Sequence, residues 1–157
     1  MSAEDVVRAL RERGETVATA ESLTAGLVTA ELTSVPGSSA VVRGGLVVYA
    51  TDLKHTLAGV DAALLAEHGA VHPEVARQLA VGARERCGAT WGLGLTGVAG
   101  PDPQDGVPPG TVHLGLSGPS GSLVRSLTLG GDRDQVRTSS TTAVLNLLRA
   151  HLKIPVE

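Results

Sequence analysis

A hydroxyl, an amine and a phenol in this sequence are spaced so that they could form a hydrolytic site. The hydroxyl is that of Ser22, which follows a short run of small and β-branched residues and precedes a helical pattern over residues 23–34. Backbone N–H groups at a helix start lack intrahelical partners, so they can hold an anion or the oxyanion of an acyl-transfer intermediate. A serine at this point is either a helix cap or a nucleophile, and its position alone favours the cap.

The amine that could act as a base for this serine is Lys54. The 13 Lys and Arg residues include only two lysines, Lys54 and Lys153. A partly buried lysine can lose its proton, whereas an arginine cannot, and a neutral lysine can activate a serine. Tyr49, the single tyrosine, ends the preceding predicted strand and could relay a proton or orient the pair. The alternatives are a solvated helix lysine and a tyrosine ring half packed in the core.

Two further segments have the chemistry to bind an anion. A Gly-rich turn at residues 96–100 follows a predicted strand and leads into a long loop, and its N–H groups could form an anion nest. Arg133 and Arg137 are spaced i, i+4 at the start of the last predicted helix and could hold a phosphate between them. The alternatives are an ordinary crossover loop and surface ion pairs, which contribute little to stability.

The elements that must position these residues are typical of an α/β fold. Helices are predicted by apolar spacing and capping residues at 3–13, 23–34, 73–87 and from 132 to about 152, with short helices after residues 51 and 61. Strands are predicted at 16–20, 45–49, 90–96, 111–117 and 122–129. This order predicts a mixed β-sheet with helices on both faces.

Residues 92–97 match the pattern Gly-x-Gly-x-x-Gly, but we reject a dinucleotide-binding site there. That site needs the glycines to follow a strand and open a helix. Here the glycines lie within the predicted strand, and a proline-rich segment follows it. Gly92 and Gly94 more simply allow a helix to pack closely against the sheet.

Length and composition narrow the function further. A chain of 157 residues predicts a single domain over residues 1–157. The formal charge of −3, without a basic stripe or aromatic platforms, disfavours nucleic-acid binding. No apolar run reaches the roughly 20 residues that span a bilayer. A single Cys87 and the lack of a Cys/His cluster with ligand spacing predict a protein without a bound metal, and no cofactor is expected. The acidic N-terminus lacks a signal peptide's apolar region, which predicts a cytoplasmic location.

Taken together, these segments resemble the C-terminal domain of the CinA family, the nicotinamide-nucleotide amidohydrolase group. The resemblance runs in order through nearly the whole chain, so it is specific although no single motif suffices. The segments that carry it are TAESLTAG at 19–26, VPGSSA at 35–40, residues 45–54, HGAV at 68–71, TGVAGPD at 96–102, PGTV at 109–112 and GDR at 131–133.

The resemblance implies an α/β/α sandwich, a homodimer and metal-independent hydrolysis of the carboxamide of nicotinamide mononucleotide. The products would be nicotinic acid mononucleotide and ammonia, which feed pyridine-nucleotide recycling. The family's catalytic serine, lysine and tyrosine fall on Ser22, Lys54 and Tyr49. The residues implied for substrate binding are Glu21, Thr24, Gly26, Thr96, Gly97, Gly100, Arg133 and Arg137.

Two departures from the family pattern keep other functions open. The family usually has Glu-Ser-Cys-Thr-Gly-Gly, where this chain has Leu23 and Ala25, and these side chains add bulk beside the expected anion pocket. The family usually has Tyr-Ser-Asn, where this chain has Ala50 and Thr51 after the tyrosine. The alternative is a catalytically inactive nucleotide- or partner-binding domain of the same fold. Another small-amide or ester hydrolase would use the same machinery.

Overall fold

A five-stranded mixed β-sheet forms the centre of the protein, in the strand order β2-β1-β3-β4-β5. The computed structural model describes residues 2–154. The strands are β1 (Val17–Glu21), β2 (Val42–Val47), β3 (Trp91–Gly97), β4 (Thr111–Gly118) and β5 (Gly121–Thr128). β1 pairs in parallel with both β2 and β3, whereas β4 runs antiparallel to β3 and β5.

Helices cover both faces of this sheet and give the three-layer α/β/α sandwich. They are α1 (Ser2–Arg13), α2 (Leu27–Thr33), α3 (Thr51–Thr56), α4 (Ala62–His68), α5 (Pro73–Cys87) and α6 (Arg133–His151). α1, α2 and α6 pack together on one face, while α5 crosses the other face and contacts every strand. The predicted α/β fold class is confirmed. The predicted single domain over 1–157 stays a prediction and includes residue 1 and residues 155–157, which lie outside the described residues.

The alternation of side chains along β1 divides the core between the two faces. Val17 packs in the apolar cluster beneath α1, α2 and α6. Ala18 and Ala20 point to the opposite face and pack in the cluster of α5, together with Val48 and Val60. A strand with both faces buried belongs at the centre of a layered α/β sheet.

Glycines allow α5 to lie unusually close to the sheet. A Cβ at Gly94 or Gly115 would fall well inside van der Waals contact with the carbonyl oxygen of Ala76, and one at Gly92 would meet that of Ala80. The interpretation of Gly92 and Gly94 as helix-packing positions is therefore confirmed. We refer to this contact of α5 with Gly92, Gly94 and Gly115 as the α5 seam.

The topology gathers the functional segments at one edge of the sheet. The carboxyl ends of β1, β2 and β3 share this edge because the three strands are parallel. From β1 the chain passes first to β2 on one side and later to β3 on the other. Ligands bind in α/β sheets at such a point, outside the carboxyl ends of the strands.

Two element boundaries differ from the predictions at this edge. β2 spans Val42–Val47, so Tyr49 lies beyond the strand rather than at its end. α2 begins at Leu27 rather than at residue 23. The reason is local, because Ala25 and Gly26 have φ angles of 47° and 100°. Such left-handed residues interrupt a right-handed helix, so residues 22–26 form a turn.

Candidate active site

A cavity of about 400 Å³ opens at the carboxyl edge of the sheet. Five segments surround it: the turn after β1, the segment after β2, the segment before α5, the loop after β3 and the start of α6. Its lining residues are Ser22, Leu23, Tyr49, Ala70, Val71, Thr96, Gly97, Val98, Ala99, Gly100, Pro101, Asp102, Pro103, Gln104 and Arg133.

Ser22 lies on the wall of this cavity with an uncommitted hydroxyl. Its backbone amide donates to the carbonyl oxygen of Leu95 at 3.1 Å, so the ladder between β1 and β3 continues through it. The residue is only 7% exposed, and within residues 2–154 its hydroxyl makes no hydrogen bond. The residue that caps α2 is Gly26, so the prediction that Ser22 caps a helix starting at residue 23 is wrong.

The start of α2 is instead occupied by the buried carboxylate of Glu21. One carboxylate oxygen accepts from the Val28 amide at 2.9 Å, and the other accepts from the Thr29 amide at 3.1 Å. The hydroxyls of Thr24 and Thr29 donate to the same carboxylate at 2.7 and 2.8 Å, and that of Thr19 does so at 3.2 Å. The first amides of α2 are therefore unavailable for the oxyanion that the sequence analysis assigned to a helix start.

Lys54 is buried below the same edge, on the first turns of α3. It is 1% exposed, and its ammonium group donates to the carbonyl oxygens of Val48 at 2.9 Å and Tyr49 at 3.1 Å. Burial lowers the pKa of Lys54 from its ordinary value of 10.5 to about 8. The alternative of a solvated helix lysine is thus wrong. Lys54 does not line the cavity, and no hydrogen bond joins it to Ser22 in the described part of the chain.

Tyr49 presents its ring to solvent at the mouth of the cavity. It is 60% exposed, so the alternative of a ring half packed in the core does not hold. Its hydroxyl accepts a hydrogen bond from Arg133 Nη2 at 3.2 Å, while its backbone carbonyl accepts from Lys54. Tyr49 therefore contacts two of the three cationic side chains that the sequence analysis singled out, Lys54 and Arg133.

The two arginines of α6 have different surroundings. Arg133 lines the cavity, and its Nη1 donates to the carbonyl oxygen of Gly100 at 2.7 Å. Arg137 lies outside the lining, and its Nε donates to the carbonyl oxygen of Leu23 at 2.9 Å. The first arginine faces the cavity together with the loop after β3, and the second holds the turn that carries Ser22.

The structure divides the predicted site residues into two groups. Those that line the cavity are Ser22, Tyr49, Thr96, Gly97, Gly100 and Arg133. Those that lie outside the lining are Glu21, Thr24, Gly26, Lys54 and Arg137. The predicted substrate contacts of Glu21, Thr24 and Gly26 therefore receive no support from the geometry, because the first two side chains bond to each other and Gly26 caps α2.

Sequence reasoning gave no role to the segment before α5 or to the far part of the loop after β3. Ala70 and Val71 line the cavity, and the carbonyl oxygen of Ala70 accepts from the Thr96 hydroxyl at 2.7 Å. Asp102 and Gln104, in the loop after β3, also line the cavity. A signal for the first pair was present, since a helix that crosses over to a parallel strand begins at the carboxyl edge of the sheet.

Two kinds of feature are absent from residues 2–154, a membrane-spanning helix and a cluster of potential metal ligands. No helix there is long and apolar enough to cross a bilayer. No group of three or more His, Cys, Asp and Glu side chains there is arranged to hold a metal ion.

Comparison with known families and proteins gives a consistent result. The family model described as CinA C-terminal domain matches residues 1–152. A CinA-like protein of Frankia casuarinae is 51% identical over 147 residues, which are 94% of this chain and 34% of the relative. One of Anaeromyxobacter dehalogenans is 52% identical over 151 residues, which are 94% of this chain and 36% of the relative. The chain thus spans about a third of the length of these curated relatives.

Solved structures share the whole architecture. A CinA superfamily protein from Klebsiella pneumoniae matches with a TM-score of 0.93 and 28% identity, over 97% of this chain and 96% of its own. A competence/damage inducible protein from Agrobacterium tumefaciens matches with a TM-score of 0.88 and 34% identity, over 98% and 97%.

Proposed function

The chain belongs to the CinA C-terminal domain family, and we propose that it hydrolyses the carboxamide of nicotinamide mononucleotide. The products are nicotinic acid mononucleotide and ammonia. The observation that carries this proposal is the combination of an unbonded Ser22 hydroxyl on a cavity wall, a buried Lys54 at the same edge and an arginine facing that cavity. A nucleophile, a base with a lowered pKa and an anion site are the components that amide hydrolysis of a nucleotide needs.

The hydrogen bonds of Lys54 support its role as the base. A neutral amine has two N–H groups and one lone pair. The carbonyl oxygens of Val48 and Tyr49 accept two N–H bonds from the amine, which leaves the lone pair for a proton. A pKa of about 8 keeps an appreciable neutral fraction near neutral pH.

The strand ladder supports the approach of Ser22 to that amine. Ser22 still follows the ladder of β1, so side-chain alternation puts it on the same face as Ala18 and Ala20. That face carries Val48, which follows β2 and accepts from Lys54. The backbone amide of Val48 in turn donates to the carbonyl oxygen of Glu21 at 2.9 Å.

The oxyanion site that we propose lies in the turn after Ser22. The amides of Leu23 and Thr24 donate no hydrogen bond within residues 2–154, whereas those of Ala25 and Leu27 bond inside the turn. Of these two uncommitted amides only that of Leu23 belongs to a residue that lines the cavity, so we assign the oxyanion of the tetrahedral intermediate to it. This assignment replaces the first turn of α2, whose amides Glu21 occupies.

We assign the 5′-phosphate to Arg133 and the turn at residues 97–100. A guanidinium has five N–H donors, and Gly100 and Tyr49 accept from only two of the Arg133 nitrogens. The remaining donors suit a phosphate, which arginine binds in a bidentate manner. Arg137 is not assigned to the phosphate, because it lies outside the cavity lining and its Nε donates to the carbonyl oxygen of Leu23.

The reaction proceeds in two steps. Ser22 Oγ attacks the carboxamide carbon while neutral Lys54 takes the hydroxyl proton, and the Leu23 amide holds the oxyanion. The C–N bond then breaks, and Lys54 returns the proton to the departing ammonia, leaving an ester on Ser22. Water, deprotonated by Lys54, attacks this ester, and the released Ser22 oxygen recovers the proton. Tyr49 and Arg133 hold the nucleotide.

The test compares ammonia release from nicotinamide mononucleotide by the wild type, Ser22→Ala and Ser38→Ala. Ser38 is a matched control because it is also 7% exposed but belongs to the 3-10 turn Ser38–Ala40, away from the cavity. We expect the rate of Ser22→Ala to fall at least about 10⁴-fold, since nucleophile removal costs this much in serine hydrolases. Equal rates for the wild type and Ser22→Ala would refute the proposed nucleophile.

The second candidate is a nucleotide-binding domain without the amidase activity. The observation that favours it is Leu23, a bulky side chain on the cavity wall where the family usually has a cysteine. Calorimetric binding of nicotinamide mononucleotide without ammonia release would select this candidate. Release of ammonia from nicotinamide riboside at an equal rate would instead favour a general amidase.

We further propose that a second copy of the chain covers the outer edge of β2. Large apolar side chains that remain exposed within residues 2–154 are Leu27, Val47, Tyr49, Leu53 and Leu57. They belong to the start of α2, the end of β2, the segment after it, and α3 with its C-cap. β2 is an edge strand, and unpaired edges with exposed apolar side chains favour association. Light scattering should show a dimer for the wild type and a monomer for the double variant Leu53→Glu/Leu57→Glu.

A further inference from the structure

The carboxylate of Glu21 is the most completely bonded polar group in the described part of the site. It is fully buried and accepts from two backbone amides and three hydroxyls. None of these partners lines the cavity. A carboxylate with this number of donors inside the protein has no free position for a ligand.

The partners of Glu21 lie on both sides of the turn that carries Ser22. The Thr24 hydroxyl is inside the turn, and the Val28 and Thr29 amides begin the helix that follows it. Glu21 itself is the residue directly before Ser22, and its carbonyl oxygen accepts from Val48. One carboxylate therefore joins the end of β1, the turn and the start of α2.

The turn needs this connection because its backbone is unfavourable by itself. Ala25 has a φ of 47°, a left-handed conformation that residues other than glycine adopt at a cost. Such conformations persist when the surrounding structure holds them in place. The Glu21 carboxylate supplies that constraint from inside the protein.

We infer that Glu21 is a positioning residue for Ser22, acting through Thr24 and the start of α2, and that it does not bind the substrate. This inference rests on the proposed function. Its consequence is a separation of kinetic effects: loss of the Glu21 bonds lowers kcat, because Ser22 and the Leu23 amide lose their alignment, and leaves KM nearly unchanged. A substrate ligand would instead raise KM.

The experiment measures kcat and KM for Glu21→Gln, Thr24→Val and Leu32→Ala. Glutamine has one acceptor oxygen, so in either orientation its NH₂ group faces an amide donor of α2. We expect kcat of Glu21→Gln to fall about tenfold or more, as for misplaced catalytic groups. Thr24→Val removes one donor at constant shape and should give a smaller fall. Leu32→Ala leaves a cavity under the last turn of α2, at the opposite end of this helix from Glu21's bonds to Val28 and Thr29, and controls for loss of stability.

Three outcomes decide the inference. The inference is supported if kcat falls for Glu21→Gln and Thr24→Val while their KM stays unchanged. In the same experiment kcat and KM of Leu32→Ala should stay unchanged, at a temperature where all variants are folded. A rise in KM for Thr24→Val overturns it in favour of a substrate ligand. An equal fall in kcat for Leu32→Ala overturns it in favour of a merely structural role.

Hydrogen exchange separates this inference from the amidase proposal. The hydrogen-bonded amides of Ala25, Leu27, Val28 and Thr29 should exchange faster in Thr24→Val than in the wild type, while the amides of α5 stay protected. This measurement needs no substrate. Faster exchange in an enzyme without amidase activity would support the positioning role and refute the proposed function, whereas unchanged exchange would refute the positioning role alone.

Discussion

The α5 seam and the turn at residues 22–26 are kept in place by different kinds of contact. At the seam, Gly94 and Gly115 bring the sheet against the backbone of Ala76 without a polar side chain. At the turn, a buried carboxylate and an arginine hold the backbone through hydrogen bonds. Close packing therefore determines where the sheet and α5 lie, whereas buried polar groups determine where the Ser22 hydroxyl lies. Changes at the seam should therefore alter stability, and changes at the edge should alter rate.

The largest effect that we expect is the loss of rate in Lys54→Met. Removal of a general base typically lowers the rate 10²–10⁴-fold, so we expect kcat/KM to fall about 10³-fold. The free energy of unfolding should change little, because relief of the desolvation of a buried ammonium group offsets the loss of the two N–H donors to the Val48 and Tyr49 carbonyl oxygens. Lys153→Met is the matched control, since Lys153 is the other lysine and is exposed. A variant that kept the wild-type rate would remove Lys54 from the mechanism.

The same lysine predicts how rate and stability depend on pH. Lys54 must be neutral to act as a base, so kcat/KM should rise with pH and level off above a pKa of about 8. The unfolded chain holds this proton up to a pH near 10.5, whereas the folded protein releases it near 8. The unfolded state thus binds more protons in that window, and the free energy of unfolding contributed by Lys54 increases with pH there. Denaturant titrations of the wild type and Lys54→Met across that window measure the contribution.

The next effect tests the seam through Gly94→Ala. The added methyl group would overlap the backbone of α5, so we expect the free energy of unfolding to fall by about 3 kcal/mol. Gly130→Ala is the control, because a Cβ there meets nothing within 4 Å. Thermal unfolding should show a Tm lowered for the first variant and nearly unchanged for the second. Activity of Gly94→Ala below its Tm should equal that of the wild type, and a loss of rate there would contradict the proposed division.

A smaller effect separates the two arginines of α6. Arg133→Ala should raise KM for the mononucleotide about 10- to 100-fold, because a charged hydrogen bond to the phosphate is lost. The unphosphorylated riboside should be affected little. Arg137→Ala should instead lower kcat, since Arg137 holds the carbonyl of Leu23 in the Ser22 turn. An equal change in KM for both substrates in Arg133→Ala, relative to the wild type, would place the phosphate elsewhere.

Periodicity and capping predicted the fold better than they predicted the turns of the site. Asp132 caps α6 with a capping box to Gln135, as expected from its position, and Pro73 starts α5. The start of α2 was misplaced because a turn with left-handed residues at 25 and 26 has the same small and apolar composition as a helix. The cytoplasmic location stays a prediction.

The roles of individual polar residues could not be predicted from local sequence. Glu21 is next to Ser22 in the sequence, which suggested a substrate contact, but strand alternation sends its side chain to the opposite face. Arg133 and Arg137 are equivalent by spacing, and only the loop after β3 and the turn after β1 distinguish their partners. Such differences depend on contacts between segments far apart in the chain.

The smallest effect tests the turn itself through Ala25→Gly. Glycine relieves the cost of a left-handed alanine, about 1–2 kcal/mol, but adds about 0.4–1 kcal/mol of unfolded-state entropy. We therefore expect the free energy of unfolding to rise by up to about 1 kcal/mol. Ala50→Gly is the control, because its φ of −69° suits any residue, so only the entropic loss remains. If denaturant unfolding showed an equal loss of unfolding free energy in both variants, Ala25 would carry no backbone strain. The Glu21 carboxylate would then not be needed to keep Ala25 in its left-handed conformation.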